Sequence, residues 1–431
     1  MLGWLRFMLM CSLLSTGSAF AQTLDETVRT TLRTNPDVLA SRYGVNAAEE
    51  LKRQAKGAYL PSVDVIIAGG YENSNNTTTR ALGQDDFDLT RAERSIRLTQ
   101  LIYDGSSTVN LIRQQSALID AAVARMSGTQ ENVSLRAIQV YLESLRRDAV
   151  VQLASENLSY HEDTLSKISE RFESGVGTKV DVVQTRGRSA QSKSNVLLSQ
   201  REVRNGKAAF YRVVGEYPQS LTIPTAIGGL PETLEQALET AVKHNPRIRA
   251  VEAEFQASIA ARKQTKGSFF PRFDLEVGAT RNDDTDGSEG PNDDETAVVK
   301  MTYNVYRGGA DRARLNEAEA REFATQESLR SAKRAVEEDV TLIWNELQDI
   351  LIRLEYLDAH VESTEEVLDV YREQLTLGKR TLLDLLDVQN ELLRAKVARV
   401  SGRYVALLAR YRVLAVTGKL LDQLEIDPDN L

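Results

Sequence analysis

Residues 23–36 read TLDETVRTTLRTNP, and residues 233–246 read TLEQALETAVKHNP. The first stretch is followed by KGAYLP at 56–61 and the second by KGSFFP at 266–271, so each signal returns 210 positions later. Landmarks further along the chain return after 203 positions. A long internal repeat indicates two copies of one supersecondary arrangement. The pattern therefore favours a wall element of a larger ring over an enzyme with a single cleft.

The composition is typical of long helices with solvated faces. Of the 431 residues, 27% are charged and only nine are proline. The formal net charge is −9, and no basic stripe interrupts it. An acidic chain of this kind is a poor ligand for nucleic acid, so we expect no nucleic-acid partner.

The first residues, 1–21, are predicted to be an export signal. Arg6 precedes a mostly apolar stretch, 7–14, and Ala19-Phe20-Ala21 forms a small-x-small cleavage site. The apolar stretch is too short to cross a bilayer, which disfavours a membrane anchor. The single cysteine, Cys11, lies inside this signal. We therefore expect a mature chain that begins near Gln22 and carries neither a disulfide nor a lipid anchor.

Four segments alternate apolar and polar side chains, as strands with two different faces do. They lie at about 61–71, 92–103, 272–281 and 296–306. A membrane-spanning strand needs only about ten such residues, whereas a spanning helix needs about twenty apolar ones. An amphipathic sheet packed on helices in a soluble domain is the alternative. Because an open sheet edge in lipid is costly, spanning strands would have to be pooled from two or three chains.

Two polar segments, 72–90 and 282–295, separate the paired strands and are expected to be loops. The second is strongly acidic. Calcium binding is one interpretation, but the order of its carboxylates does not match an EF-hand loop. We favour a solvated outer loop and predict no metal site.

Apolar residues recur every seven positions in both repeats, which indicates coiled-coil-like seams. In the first repeat these are Val151, Leu158, Leu165 and Phe172, and in the second they are Leu354, Val361, Leu368 and Leu375. A helix over 107–172 would be roughly 100 Å long at 1.5 Å per residue. Two shorter helices, 36–56 and 178–215, would stack to about the same length. Paired rods of this height suit a tunnel wall, and a coiled-coil scaffold or periplasmic adaptor is the alternative.

The predicted division of the chain follows from these signals. We expect a first structural repeat over 22–215, a linker over 216–232, a second repeat over 233–418 and a C-terminal tail over 419–431.

Together these features resemble the TolC family of outer-membrane efflux and secretion ducts. The resemblance rests on the signal peptide, the paired L-x-x-[AT]-[VL] starts that lead to Asn-Pro, the Gly-Thr-Asp tips and the repeated order helix–strand–strand–helix–helix. It implies a mixed α/β homotrimer with a twelve-stranded β-barrel, four strands per chain, in outer-membrane lipid. A helical tunnel would cross the periplasm, with the linker forming an equatorial band. An adaptor protein and an inner-membrane transporter would dock on it.

The segment 378–387, GKRTLLDLLD, is similar to the periplasmic tip of this family. The resemblance implies that Asp384 and Asp387 line the closed entrance, that Arg380 latches the tip, and that Asp181 is its acidic partner. Glycine and threonine pairs mark the two hairpin tips: Gly175, Thr178, Gly378 and Thr381. The family's prototype has a tyrosine where this chain has Leu375, which implies a weaker latch.

No enzyme signature is present, and no cofactor is predicted. The three histidines, His161, His244 and His360, are scattered and lack zinc-site spacing. Two duct functions are compatible with the resemblance. Type I protein secretion with an ABC exporter is favoured by segment 89–105, which is closer to the secretion branch, and by the missing lipid anchor. Drug or metal efflux is the alternative.

Overall fold

The computed structural model describes residues 22–225 and 227–430, and the predicted signal peptide lies outside them. The elements follow in the order α1 (Leu24–Thr34), α2 (Pro36–Gly57), β1 (Ser62–Ser74), α3 (Thr77–Ala81), β2 (Phe87–Tyr103), α4 (Ser107–Glu173), α5 (Lys179–Val214), α6 (Leu234–His244), α7 (Pro246–Thr265), β3 (Arg272–Thr285), β4 (Ser288–Thr302), α8 (Ala310–Thr376), α9 (Leu382–Val416) and α10 (Leu420–Gln423).

The rods have the expected lengths. Helices α4 and α8 contain 67 residues each, which corresponds to about 100 Å. Helix α4 packs against α2 and α5, and α8 packs against α7 and α9. The predicted bounds of α2, α4 and α5 agree with the structure to within one residue at each end. Helices α1 and α6 were not predicted, and Thr23 and Thr233 cap their N-termini.

The two Asn-Pro motifs join the short helices to the rods. Asn35 accepts a hydrogen bond from the backbone N–H of Asp37, while its amide Nδ2 donates to the carbonyl of Val213 at 3.0 Å. Asn245 repeats the arrangement, and its Nδ2 lies 2.8 Å from the carbonyl of Val416. Proline follows at the first helical position, where its missing N–H is not needed. One side chain therefore begins a helix and holds the end of another.

The four strands form one antiparallel sheet in the order β1-β2-β3-β4, so β1 and β4 are its edges. Register places Val65 opposite Ile96 and Ile96 opposite Ala279, and these positions share one face. In the isolated chain this apolar face is exposed, with Val65 at 65% and Ile67 at 77%. Among residues 22–225 and 227–430, no helix has both the length and the apolar character needed to span a bilayer.

The expected acidic loop is mostly strand. Pairing of β3 with β4 continues past Asp283 opposite Pro291 to Thr285 opposite Ser288, and only a two-residue turn separates the strands. Asp286 and Gly287 have positive φ there, as a two-residue hairpin turn requires. The charges do not prevent pairing because Arg281 faces Asp293 at 3.6 Å. The other expected loop is also structured: β1 extends to Ser74, α3 follows, and β2 begins at Phe87 rather than near residue 92.

The largest apolar core joins the N-terminal helix, the middle of α4 and the C-terminus. The Tyr141 hydroxyl is at its centre and donates to the carbonyl of Thr222 at 2.6 Å. The predicted C-terminal tail also contributes: Leu420, Leu421, Leu424 and Ile426 are buried there. Helix α10 was not predicted, because its four residues are too few for a periodic signal.

Candidate entrance at the helical hairpin tips

Both predicted tips lie at turns between long helices. The first turn joins α4 to α5, and the second joins α8 to α9. Gly175 has φ +81 and Gly378 has φ +68, a backbone region that glycine adopts without a Cβ clash. In each turn the following N–H bonds back to the helix: Val176 N to the Arg171 carbonyl at 2.9 Å, and Lys379 N to the Gln374 carbonyl at 2.9 Å. The two turns therefore end their helices in the same way.

The helices that leave the turns are capped by matching Thr–Asp pairs. The Thr178 hydroxyl accepts from Asp181 N at 3.1 Å and donates to Asp181 Oδ2 at 2.7 Å. Thr381 and Asp384 form a reciprocal capping box, with the Thr381 hydroxyl 2.8 Å from Asp384 Oδ2. The Thr381 hydroxyl and N–H, with a smaller contribution from Arg380, lower the pKa of Asp384 below its ordinary value. Asp384 is therefore a charged cap at neutral pH.

Asp387 lies one helical turn beyond Asp384 and faces the first hairpin. Its carboxylate forms an ion pair with Arg188 of α5. The apolar side chains between them, Leu385 and Leu386, are buried. The two aspartates of the predicted constriction are thus held differently, one by its own helix start and the other by a neighbouring helix.

Arg380 and Asp181, the predicted latch partners, have different partners within one chain. The Arg380 guanidinium lies over the Tyr371 ring at 4.4 Å from the centroid, and its Nε donates to Gln374 Oε1 at 3.2 Å. Asp181 is occupied by Thr178. The chain therefore does not bring Arg380 and Asp181 together by itself.

Sequence reasoning missed Arg188, Tyr371 and Gln374. Tyr371 lies one turn before Leu375, and both pack beside the apolar cluster of α8 and α9. An aromatic ring is thus present beneath Arg380, although it does not occupy the position where the resemblance placed one. A tyrosine one helical turn away from the expected position was the only signal available in the sequence.

Metal binding finds no support in the described part of the chain, where no group of three or more His, Cys, Asp or Glu side chains could hold an ion. In the acidic β3–β4 region, Asp283 pairs with Arg94 at 3.0 Å. Asp284 accepts from the Gly290 N–H at 2.8 Å. Asp283 therefore links β3 to the neighbouring strand β2, whereas Asp284 bonds within the β3–β4 hairpin.

Comparison with known proteins gives a consistent family assignment. The family model described as "Outer membrane efflux protein" matches residues 27–216 and 237–419. The chain is 24% identical to outer membrane efflux protein BepC of Brucella suis biovar 1 (strain 1330), over 94% of this chain and 88% of that protein. It is 22% identical to outer membrane protein TolC of Escherichia coli (strain K12), over 90% of this chain and 80% of that protein.

A third relative is the proteases secretion protein PrtF of Dickeya chrysanthemi, which is 22% identical over 95% of this chain and 91% of its own length. Among solved structures, the fold is similar to CusC with a TM-score of 0.81, at 15% identity and 92% coverage of each chain. This likeness shows the shared fold of long helices and a small antiparallel sheet.

Proposed function

Since the chain belongs to the outer membrane efflux protein family, we propose that it assembles as a homotrimer and forms the exit duct of a tripartite export system. Proteins of this family are passive channels of the Gram-negative outer membrane and not enzymes. The observation that carries the proposal is the open four-stranded sheet with an exposed apolar face beside rods of about 100 Å.

The sheet supports a trimeric barrel. Strands β1 and β4 leave unpaired backbone groups along both edges, and such edges are costly in lipid. Pairing β4 of one chain with β1 of the next would satisfy them, and three chains would close a cylinder of twelve strands. The exposed apolar face, which includes Val63, Val65 and Ile67, would then contact outer-membrane lipid.

The tips support a charged entrance. Asp384 and Asp387 lie three residues apart on α9, so a three-fold axis would bring six carboxylates together. Such a ring attracts cations. Because Arg380 and Asp181 do not meet within one chain, we propose that a latch between them would form across neighbouring subunits. Arg380→Ser is then expected to raise the single-channel conductance.

We propose that the exported substrate is a protein. The duct would act together with an adaptor and an ABC-type inner-membrane transporter. The name of PrtF, a proteases secretion protein, supports protein secretion, whereas the name of BepC, an outer membrane efflux protein, supports efflux as the second candidate.

Deletion of the gene separates the two candidates. If the duct serves secretion, the deletion removes a protein from the culture medium and leaves drug and metal susceptibility unchanged. The opposite pattern would assign the duct to efflux. Restoring the intact gene is the control for either phenotype.

A further inference from the structure

The tip-proximal seam of the first hairpin is polar, whereas that of the second is apolar. Between α8 and α9, Val361 and Leu368 pack with Leu385 and Leu392. Between α4 and α5, the buried side chains include Asn157, His161, Thr185 and Ser192. We use the name polar seam for the group Asn157, His161, Arg188, Ser192, Asp387 and Gln389.

The polar seam connects three helices. Asn157 Nδ2 of α4 donates to Ser192 Oγ of α5 at 3.2 Å, and Gln389 Nε2 of α9 donates to Asn157 Oδ1 at 3.3 Å. Closer to the tip, Arg188 of α5 pairs with Asp387 of α9. The two hairpins of one chain are therefore joined by polar contacts, and some of these contacts involve the predicted entrance aspartate.

His161 lies in this seam one turn from Asn157 and is fully buried. Within the described residues, no hydrogen bond of normal geometry reaches either ring nitrogen, and the Asn390 side chain of α9 is near enough to interact with the ring. The groups that face it are the Arg188 cation from α5, which is paired with Asp387 of α9, and the neutral side chain of Asn390 from α9. On its own helix the Tyr160 ring meets it edge-on at 5.7 Å.

These surroundings oppose a charge on the ring. Burial, the largest cause, lowers the pKa of His161, and Arg188 lowers it further, while Asn390 acts in the opposite direction. A protonated ring would place a second cation near Arg188 in a site that water does not reach. Asp387 does not compensate such a charge, because its carboxylate is already paired with Arg188.

We propose that the polar seam is a proton-sensitive joint, in which proton binding by His161 loosens α9 from the first hairpin and favours an open entrance. This proposal rests on the proposed duct function, because the entrance that opens is the entrance of the duct. An exposed histidine has a pKa of about 6.5, so at pH 5.0 protonation would favour the loosened state by up to about 30-fold per chain. At pH values above the ordinary histidine pKa, the ring is neutral in both states. Proton binding then no longer opposes the closed state.

Spin-label distances test this joint independently of transport. Because residues 22–431 lack cysteine, a label at Leu377→Cys, 68% exposed in the second tip, would be specific. The distances between labels on different subunits would be measured at pH 7.5 and pH 5.0. The reference protein carries only Leu377→Cys, and we expect its distances to be longer at pH 5.0 than at pH 7.5. We expect no change with pH in His161→Gln, which cannot take up the proton.

Two further variants make the result specific. His360→Gln removes an exposed histidine of the second hairpin and should respond to pH like the reference. His161→Phe replaces the ring by an apolar one and should stay closed at both pH values. A pH response that persists in His161→Gln, or its absence from the reference, would overturn the proposal. If no distance between labels on different subunits were detected, the result would instead contradict the proposed trimer.

Discussion

The guanidinium of Arg380 lies 4.4 Å from the centroid of the Tyr371 ring, so a cation–π contact holds the arginine of the second tip. This contact joins Tyr371, near the end of α8, to Arg380 within the turn that leads to α9. Leu375, which replaces the tyrosine of the family's prototype, packs in the apolar seam instead. The tip thus retains an aromatic support for its arginine.

Replacing Tyr371 should loosen the tip. An exposed cation–π contact contributes about 0.5–1 kcal/mol, which corresponds to a two- to fivefold change in the closed-to-open ratio. We expect Tyr371→Leu to raise the open probability in planar bilayers by this factor and Tyr371→Phe to preserve it. Tyr356→Leu is the matched control, because Tyr356 is a 73% exposed tyrosine of the same helix α8, away from the tip turn. Equal effects of both leucine variants would argue against a specific role for Tyr371.

Removing the entrance carboxylates should relieve block by multivalent cations. In the double variant Asp384→Ala and Asp387→Ala, the proposed ring loses all six charges. We expect the current to become insensitive to a trivalent cation that blocks the parent channel. Glu366→Ala removes an exposed carboxylate of α8 outside the proposed ring and should keep the block. If block were unchanged in the double variant, the aspartates would not form the constriction.

We expect Glu131 to make the free energy of unfolding depend on pH. Burial, the largest cause, raises the pKa of Glu131 to about 8, although its Oε1 accepts from the Leu421 N–H at 3.5 Å. The folded state therefore binds the proton of Glu131 more tightly than the unfolded state. The contribution of this proton to the free energy of unfolding is fully present below the unfolded pKa near 4.5 and is lost as pH rises to about 8. The loss is at most about 1.4 kcal/mol per pH unit.

The melting temperature of Glu131→Gln should therefore exceed that of the parent at pH 8 and approach it at pH 4.5. Glu252→Gln, at an exposed position, is the control and should follow the parent throughout. If the melting temperatures of the parent and of Glu131→Gln changed in parallel with pH, Glu131 would be ionised in the folded protein.

The Asn245 side chain supports both a helix start and a helix end. Its Oδ1 accepts from Arg247 N at 2.9 Å, while its Nδ2 donates to the Val416 carbonyl. Asn245→Ala should cost about 1–2 kcal/mol from the lost cap, together with the lost hydrogen bond. Asn245→Ser should cost less, because serine keeps a side-chain oxygen for the cap and loses only the bond to the Val416 carbonyl. Unfolding in denaturant would measure both, and equal costs would contradict the separate roles.

Local signals made the helices predictable. Asn35, Gly175 and Thr178 determine helix ends through their own backbone neighbours, so the sequence alone indicates them. The rods followed from the seven-residue period. These features need no knowledge of which helices pack together.

Contacts between distant elements were not predictable in the same way. The pairing of Arg188 with Asp387 and the burial of His161 depend on how the first hairpin packs against α9. The acidic segment was expected to be a loop because its charges were assessed without their cross-strand partners, such as Arg281 for Asp293. Tyr371 was not predicted, because its contact with Arg380 joins a helix to the turn after it, where helical spacing no longer applies.

The size and conductance of the purified protein in detergent and in planar bilayers test the central claim most directly. The account predicts a detergent-resistant trimer that conducts ions through one pore per assembly. A monomer that remains in solution without detergent and conducts no ions would contradict it.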